Sequence, residues 1–368
     1  MIEEGHGNLL TADVDALVNT VNTVGVMGKG IALQFKRAYP DNYRAYRAAC
    51  DRGEVLLGHV FVFDRGMFGP RRYIFNFPTK GHWRNAARLE DIRSGLDDLL
   101  LAVRRTGVRS IAIPALGCGN GGLEWHDVRP LIEAACQTIP NVRCVVFAPE
   151  GAPPANTMPD ATPRPPLTGP RALLLSAIAV YLDRARLQEF REGVSELEIQ
   201  KLAYFLQLAG APFNLRFARG TYGPYSDRIG QVLAALEGHY LTGLGDRSSR
   251  VTELAPITPT TGTREDSAAL LERHPEHRAQ LAAVLDLVAG FEAPYSLELL
   301  ATVHWASIQP PPTADIGVLS DRVSAWSLRK ARLFTDAHIR LAAERLTKYR
   351  LLAEKEYRFA TDAPAVRG

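Results

Sequence analysis

Three stretches in the first 150 residues hold side chains and glycines whose types and spacing suit chemistry on an anion. The first is Val18-Asn19-Thr20-Val21-Asn22-Thr23-Val24-Gly25-Val26-Met27-Gly28-Lys29-Gly30-Ile31-Ala32. An apolar strand ends in asparagines, a loop with glycines follows, and a helix begins. Glycine lets the backbone approach a ligand closely, and the free N–H groups of a helix start favour anions, so a diphosphate suits this geometry. The pattern is neither G-x-G-x-x-G nor a Walker loop ending in Gly-Lys-Ser/Thr. A plain strand-to-helix turn accounts for it equally well. The second stretch is Ile111-Ala112-Ile113-Pro114-Ala115-Leu116-Gly117-Cys118-Gly119-Asn120-Gly121-Gly122, with a helix expected from about Trp125. Two such loops at one edge of a sheet would grip a diphosphate from both sides. Cys118 reads as a small filler rather than a nucleophile, because no histidine stands at a spacing that argues for a dyad.

The third stretch is Asn76-Phe77-Pro78-Thr79-Lys80-Gly81-His82-Trp83-Arg84. Lys80 follows a strongly apolar run. Alone, a lysine there is a solvated charge; beside a diphosphate it would pair with that charge. If desolvated, its amine would be neutral part of the time and act as nucleophile or base. His82 and Trp83 offer a proton shuttle and a stacking face, or ordinary loop packing.

The elements that must position these loops are legible as alternating periods. Short apolar runs at 16–21, 60–63, 73–77, 110–113 and 142–147 read as strands, and helical spacing covers 31–38, 88–105 and 128–139. Strands alternating with helices predict an α/β layer with a mixed or mostly parallel sheet, whose ligands lie beyond the carboxyl ends of the strands. A proline-rich stretch, PEGAPPANTMPDATPRPPLTGP, then breaks the pattern. It divides the chain into a first domain at 1–150, a linker at 151–170 and a second domain at 171–368. The second domain reads as mainly helical, at 172–190, 195–209, 227–241, 277–290, 297–307 and 336–352. Ser195-Glu196-Leu197-Glu198 forms a capping box. Only 213–219 and 250–254 look extended.

Composition narrows the function classes. The 368 residues carry 43 basic and 40 acidic side chains, a formal net charge of +3, so no block of charge calls for non-specific nucleic-acid or membrane binding. Four cysteines without a C-x-x-C pair argue against a zinc site and suit a reducing cytoplasm. The N-terminus lacks the pattern of a signal peptide, and no apolar run approaches about 18 residues. Neither a metal nor a cofactor is expected.

Together, the opening Gly7-Asn8-Leu9-Leu10-Thr11, the Asn19 to Asn22 segment and the two glycine loops resemble the macrodomain family in kind and order, across essentially all of residues 1–150. The resemblance implies a three-layer α/β fold with a mixed sheet that holds ADP-ribose. Gly25-Val26-Met27-Gly28-Lys29-Gly30-Ile31-Ala32, Thr79-Lys80, and Gly117-Cys118-Gly119 ahead of Leu123-Glu124-Trp125 are similar to the branch that holds the terminal ADP-ribose protein glycohydrolase and the bacterial antitoxin DarG. That branch implies removal of ADP-ribose from thymine bases in single-stranded DNA and inhibition of a DarT-type toxin. By motif, Asn8 and Leu9 would face the adenine and Asn22 the distal ribose. Gly28, Lys29 and Gly30 would form one phosphate wall, Gly117, Cys118, Gly119, Asn120 and Gly121 the other. Thr79 would join them, and Lys80 matches the branch's catalytic lysine, with His82 and Trp83 as candidate assistants. Many macrodomains have an aspartate where Asn8 stands. The second glycine loop lacks the human glycohydrolase's aspartate, and the loop after Gly28 lacks the aspartate of water-activating macrodomains.

In the second domain, Glu198-Ile199-Gln200-Lys201-Leu202-Ala203-Tyr204-Phe205-Leu206-Gln207 and Thr221-Tyr222-Gly223-Pro224-Tyr225-Ser226-Asp227 resemble the antitoxin domains called Panacea or phage-antitoxin-like. Locally, Tyr204 and Phe205 read as core, and Gly223-Pro224 as a turn that starts a helix. Two alternatives remain: an ADP-ribose reader in which Lys80 only neutralises charge, or a protein ADP-ribosyl glycohydrolase joined to a DNA-binding regulatory domain. Deacetylation of acetylated ADP-ribose is a further reaction open to macrodomains.

Overall fold

The computed structural model describes residues 1–66, 70–248 and 256–354. The chain forms two compact units. The first contains residues 1–164 together with a short segment from much later in the chain, 245–248. The second contains 165–244 and the residues described from 256 onward.

In the first unit, β1 (Ile2–Gly5) and β2 (Ala16–Asn22) lead into α1 (Gly30–Ala38) and α2 (Pro40–Asp51). Next come β3 (Phe61–Asp64), β4 (Tyr73–Lys80), α3 (Leu89–Thr106), β5 (Ser110–Ile113), α4 (Trp125–Gln137) and β6 (Arg143–Phe147). The strands lie in the order β1-β6-β5-β2-β4-β3. All neighbours are parallel except β3, which runs antiparallel to β4. The sheet is therefore mixed, as expected.

Central strands covered on both faces are mostly apolar, which is why β2 and β4 read as near-continuous runs, interrupted by the buried, mutually hydrogen-bonded Asn19 and Asn76. The pleat sends Phe75 and Phe77 to one face, where they pack with Ile92, Leu96 and Leu99 of α3 and Val128 and Ile132 of α4. It sends Leu17 and Ile74 to the other face, against Phe35 of α1. Val21, Met27, Tyr46 and Ala49 fill the end of that second face. The result is helix, sheet, helix: three layers. α3 stops at Gly107, whose left-handed φ of 68° returns its N–H to the carbonyl of Val103 at 3.0 Å.

The proline-rich stretch is not wholly a free linker. Ala161 donates its N–H to the carbonyl of Arg37 at 2.9 Å, and the Thr157 carbonyl accepts from Asn8 Nδ2 at 3.4 Å. Residues up to 164 belong to the first unit for this reason, and the next helix starts at Gly169 rather than after 170.

The second unit is mainly helical. It contains α5 (Gly169–Arg186), α6 (Glu196–Leu208), β7 (Ala218–Gly220), β8 (Gly223–Tyr225), α7 (Asp227–Leu236), β9 (Leu241–Thr242), β10 (Thr258–Pro259), α8 (Thr263–Leu271), α9 (Pro275–Leu287), α10 (Pro294–Ser307), α11 (Ile316–Ser324), α12 (Leu328–Leu333) and α13 (Asp336–Lys348). The capping box is present: Ser195 Oγ accepts the Glu198 N–H, and the Glu198 carboxylate accepts the Ser195 N–H. Tyr204 and Phe205 lie in the core. The expected helix start at Gly223-Pro224 is corrected: these residues form β8 opposite β7, and α7 begins only at Asp227. A proline tolerates this place because the strand is a short hairpin edge. The extended stretch expected at 213–219 narrows to Ala218–Gly220, and 250–254 lies outside the described residues. Among the described residues, no helix is long and apolar enough to cross a membrane.

Candidate active site

The parallel strands β2, β4 and β5 all end on the same edge of the sheet, and the loops that follow them enclose a cleft of about 1230 Å³. Gly28, Lys29 and Gly30 line it from the β2 loop. Gly117, Gly119, Asn120 and Gly121 line it from the β5 loop, Thr79 and Lys80 from the end of β4, and Asn8 and Leu9 from the loop after β1. The fold thus brings together residues from four separate parts of the chain.

Lys80 ties the loops together. In the sheet register it lies opposite Asn22, the last residue of β2, just after a local irregularity at Val21. Its Nζ donates to the Asn120 carbonyl of the second glycine loop at 2.6 Å. The residue after it, Gly81, accepts from both the N–H and the hydroxyl of Thr23 in the first loop. The side chain is buried, 9% exposed. Burial disfavours the ammonium and lowers its pKa below the ordinary lysine value. The amine is thus held at one carbonyl and faces the cleft.

The second loop has a shape only glycine permits. Gly117 adopts a φ of 74°, and a Cβ on Gly121 would lie 2.3 Å from the Gly117 carbonyl oxygen. That close approach lets the Gly121 carbonyl accept the Ala87 N–H at 2.9 Å and the Gly117 carbonyl accept the Leu123 N–H at 3.1 Å. The first loop is braced by Asn22. Its Nδ2 donates to the Val26 carbonyl at 2.6 Å, and its Oδ1 accepts the N–H groups of Val24 and Val26. The buried Tyr46 hydroxyl donates to the Asn22 carbonyl.

Several expected side chains have local duties. Asn22 shapes its own loop with both ends of its amide. Asn8 Oδ1 accepts the Leu10 N–H at 3.0 Å, capping a 3₁₀ turn at Leu9–Thr11, and Leu9 is buried beneath it. Gly30 gives its N–H to the carbonyl of Asp246 at 2.8 Å. Cys118 does not line the cleft. Its thiol packs against the core on the α3 and α4 side and points at the Leu116 carbonyl. Burial, with Glu124 nearby, pushes that thiol up to about 11, so it is not a thiolate at neutral pH. Trp83 does line the cleft, with the Arg84 guanidinium 4.5 Å from its ring centre. His82 does not; its Nδ1 accepts the Arg84 N–H at 3.2 Å.

Among the lining residues that sequence reasoning missed are Gln34 on α1, and Asp246, Arg247 and Ser248 from the segment that joins this unit. Gln34 follows the first glycine loop closely and falls on α1. The other three carry no local signal.

Residues 18–132 match the Macro domain family. A DNA ADP-ribosyl glycohydrolase of Thermus aquaticus is 45% identical over 97% of this chain and 96% of its own length. The chain belongs to the DarG-type DNA ADP-ribosyl glycohydrolase family. The solved macrodomain of Mycobacterium tuberculosis DarG is 53% identical, covering 40% of this chain and 97% of its own, with a TM-score of 0.40. A further relative, from Thermosipho africanus, is a fusion of DNA ADP-ribosyl transferase and DNA ADP-ribosyl glycohydrolase; it is 36% identical over 34% of this chain and 37% of its own length.

Proposed function

We propose that this chain is an antitoxin that removes ADP-ribose from thymidine bases in single-stranded DNA and also binds and inhibits its cognate DarT-type toxin. The observation that carries the first half is Lys80: a buried amine, lowered in pKa, that links the ends of both glycine loops. The loops receive the diphosphate, which brings the distal ribose to the amine. Neutral Lys80 adds to the anomeric carbon, or holds the opened sugar as an imine. The bond between that carbon and the thymine nitrogen breaks, and the base leaves with the electron pair and takes up a proton. Water then replaces the lysine nitrogen, so ADP-ribose departs with a hydroxyl on its anomeric carbon and the amine is restored.

Near-complete coverage of the Thermus relative supports this activity for the whole chain. The Thermosipho fusion supports a DarT-type partner, because it places transferase and glycohydrolase in one polypeptide. The toxin contact belongs to residues 171–368, most of which fold as a well-packed, mainly helical unit, while the segment 245–248 joins the first unit. Four free thiols suit work in the cytoplasm.

The direct experiment incubates the full chain with a single-stranded oligonucleotide carrying ADP-ribose on thymine. The expected products are free ADP-ribose and unmodified thymine. Persistence of the adduct overturns the catalytic reading. Mixing the full chain with the toxin, followed by gel filtration, tests the partner; separate elution at micromolar concentrations removes it.

A further inference from the structure

Part of the cleft wall comes from far along the chain. The segment Gly245-Asp246-Arg247-Ser248 is fixed to α1 at three points. The Gly245 carbonyl accepts from Arg37 Nη1 at 3.0 Å, the Asp246 carbonyl accepts from the Gly30 N–H at 2.8 Å, and Asp246 Oδ2 accepts from Gln34 Nε2 at 2.7 Å. Asp246 Oδ1 accepts both the N–H and the hydroxyl of Ser248. The side chain is 4% exposed. Both carboxylate oxygens are tied to donors, and the residue works as an anchor.

Arg247 sits between these anchors and is used differently. Its φ of 62° is in the left-handed region, which costs a residue with a Cβ about 1 kcal/mol or more and persists only where the surroundings impose it. The anchoring of Asp246 and Ser248 on either side imposes it. The side chain is half-buried and lines the cleft, yet it makes no hydrogen bond, ion pair or ring contact with any described residue. A guanidinium offers five N–H donors in a flat fork that matches phosphate oxygens. Donors left unpaired in a partly desolvated wall are costly unless a ligand takes them. Gly30 no longer has its N–H to offer, so the first loop is one donor short of a full phosphate wall.

We infer that Arg247 is a phosphate-binding residue of this cleft, delivered from the second half of the chain. The inference rests on the proposed function and deepens it. The phosphate is either the diphosphate of ADP-ribose or a phosphodiester of the DNA strand that bears it; the recognition chemistry is the same.

The test uses the full chain with Arg247→Gly and, separately, Arg247→Gln. Glycine accepts the positive φ without strain, so the anchor is left intact. Glutamine keeps the length without the charge, and thermal unfolding identifies which variants are folded. Three readings are taken: calorimetric affinity for free ADP-ribose, release from an ADP-ribosylated single-stranded oligonucleotide, and release from ADP-ribosylated thymidine nucleoside, which has no flanking phosphates. Loss of a charge-assisted contact predicts an effect of about tenfold. If the diphosphate is the ligand, affinity for free ADP-ribose falls by that factor. If the strand is the ligand, affinity is unchanged and only release from the oligonucleotide falls, with the nucleoside unaffected. All three readings within twofold of wild type in a folded variant overturn the inference. Wild-type chain that binds ADP-ribose but releases none condemns the catalytic reading instead, and the ADP-ribose titration still decides the role of Arg247.

Discussion

Replacing Gly121 by alanine probes how tightly the second glycine loop must close. The added Cβ would meet the Gly117 carbonyl oxygen at 2.3 Å and the Ala87 Cβ at 2.9 Å. Neither neighbour is the flexible end of a side chain. Carbon and oxygen settle at about 3.3 Å or more, so the two arms of the loop must part by roughly 1 Å. Asn120, whose carbonyl holds Lys80 Nζ at 2.6 Å, is the adjacent residue and moves with the arm. A misplacement of about 1 Å at a reacting group costs on the order of 10²-fold in rate. The expected outcome for Gly121→Ala is therefore a roughly hundredfold slower single-turnover release of ADP-ribose from modified oligonucleotide. The overpacking itself costs about 1–3 kcal/mol, so circular dichroism and thermal unfolding accompany the assay. A folded variant that releases ADP-ribose within threefold of the wild-type rate would show that the loop does not set the position of the lysine.

Burial lowers the pKa of Lys80, and the chemistry needs its neutral form, so release rises with pH and levels off below the ordinary lysine value of 10.5; a rate that is flat or falls from pH 6 to 9 contradicts this. Cys118→Ala leaves more than half of the activity, because the thiol is raised to about 11 and faces the core; near-complete loss in a folded variant would make the thiol a participant. In the second unit, buried Lys201 donates to the Pro224 carbonyl, and burial brings it down to about 7 from 10.5. Between those values the unfolded chain holds a proton that the folded chain has released, so stability rises with pH, by up to about 1.4 kcal/mol per pH unit. Urea unfolding at pH 7.5 and 9 measures the slope, and Lys201→Met flattens it; a wild-type slope of zero defeats the assignment.

Much of the catalytic unit was readable because burial on both faces of a sheet leaves an unmistakable apolar run. β2, β4 and β5 and the stripe of α3 were all legible from period alone. β1 was not: Ile-Glu-Glu-Gly at an edge shows no run, and its place is fixed by pairing with β6 more than 140 residues later. α2 buries only Asn42, Tyr46 and Ala49, too sparse a stripe to see. At the site, Lys80 alone read as a solvated charge and gained its role from the family resemblance, while the glycine loops carried their own signal. The duties of Asn8 and Asn22 did not, since a sequence shows an amide but not the N–H groups it will meet. For His82, which read equally as a proton shuttle or as loop packing, adjacency to a lysine said nothing of direction: its Nδ1 accepts the Arg84 N–H. Asp246 and Arg247 were out of reach, since only tertiary contact joins them to α1 more than 200 residues earlier.

The central claim is that the amine of Lys80 acts on the sugar while backbone loops hold the diphosphate. Single-turnover release from ADP-ribosylated single-stranded DNA, measured for the wild-type chain and Lys80→Ala alongside calorimetric titration with ADP-ribose, separates the two duties. Release slowed by about 10³-fold, with affinity for ADP-ribose within a few-fold of wild type, is the expected result for Lys80→Ala. Release at the wild-type rate by the folded variant would contradict it.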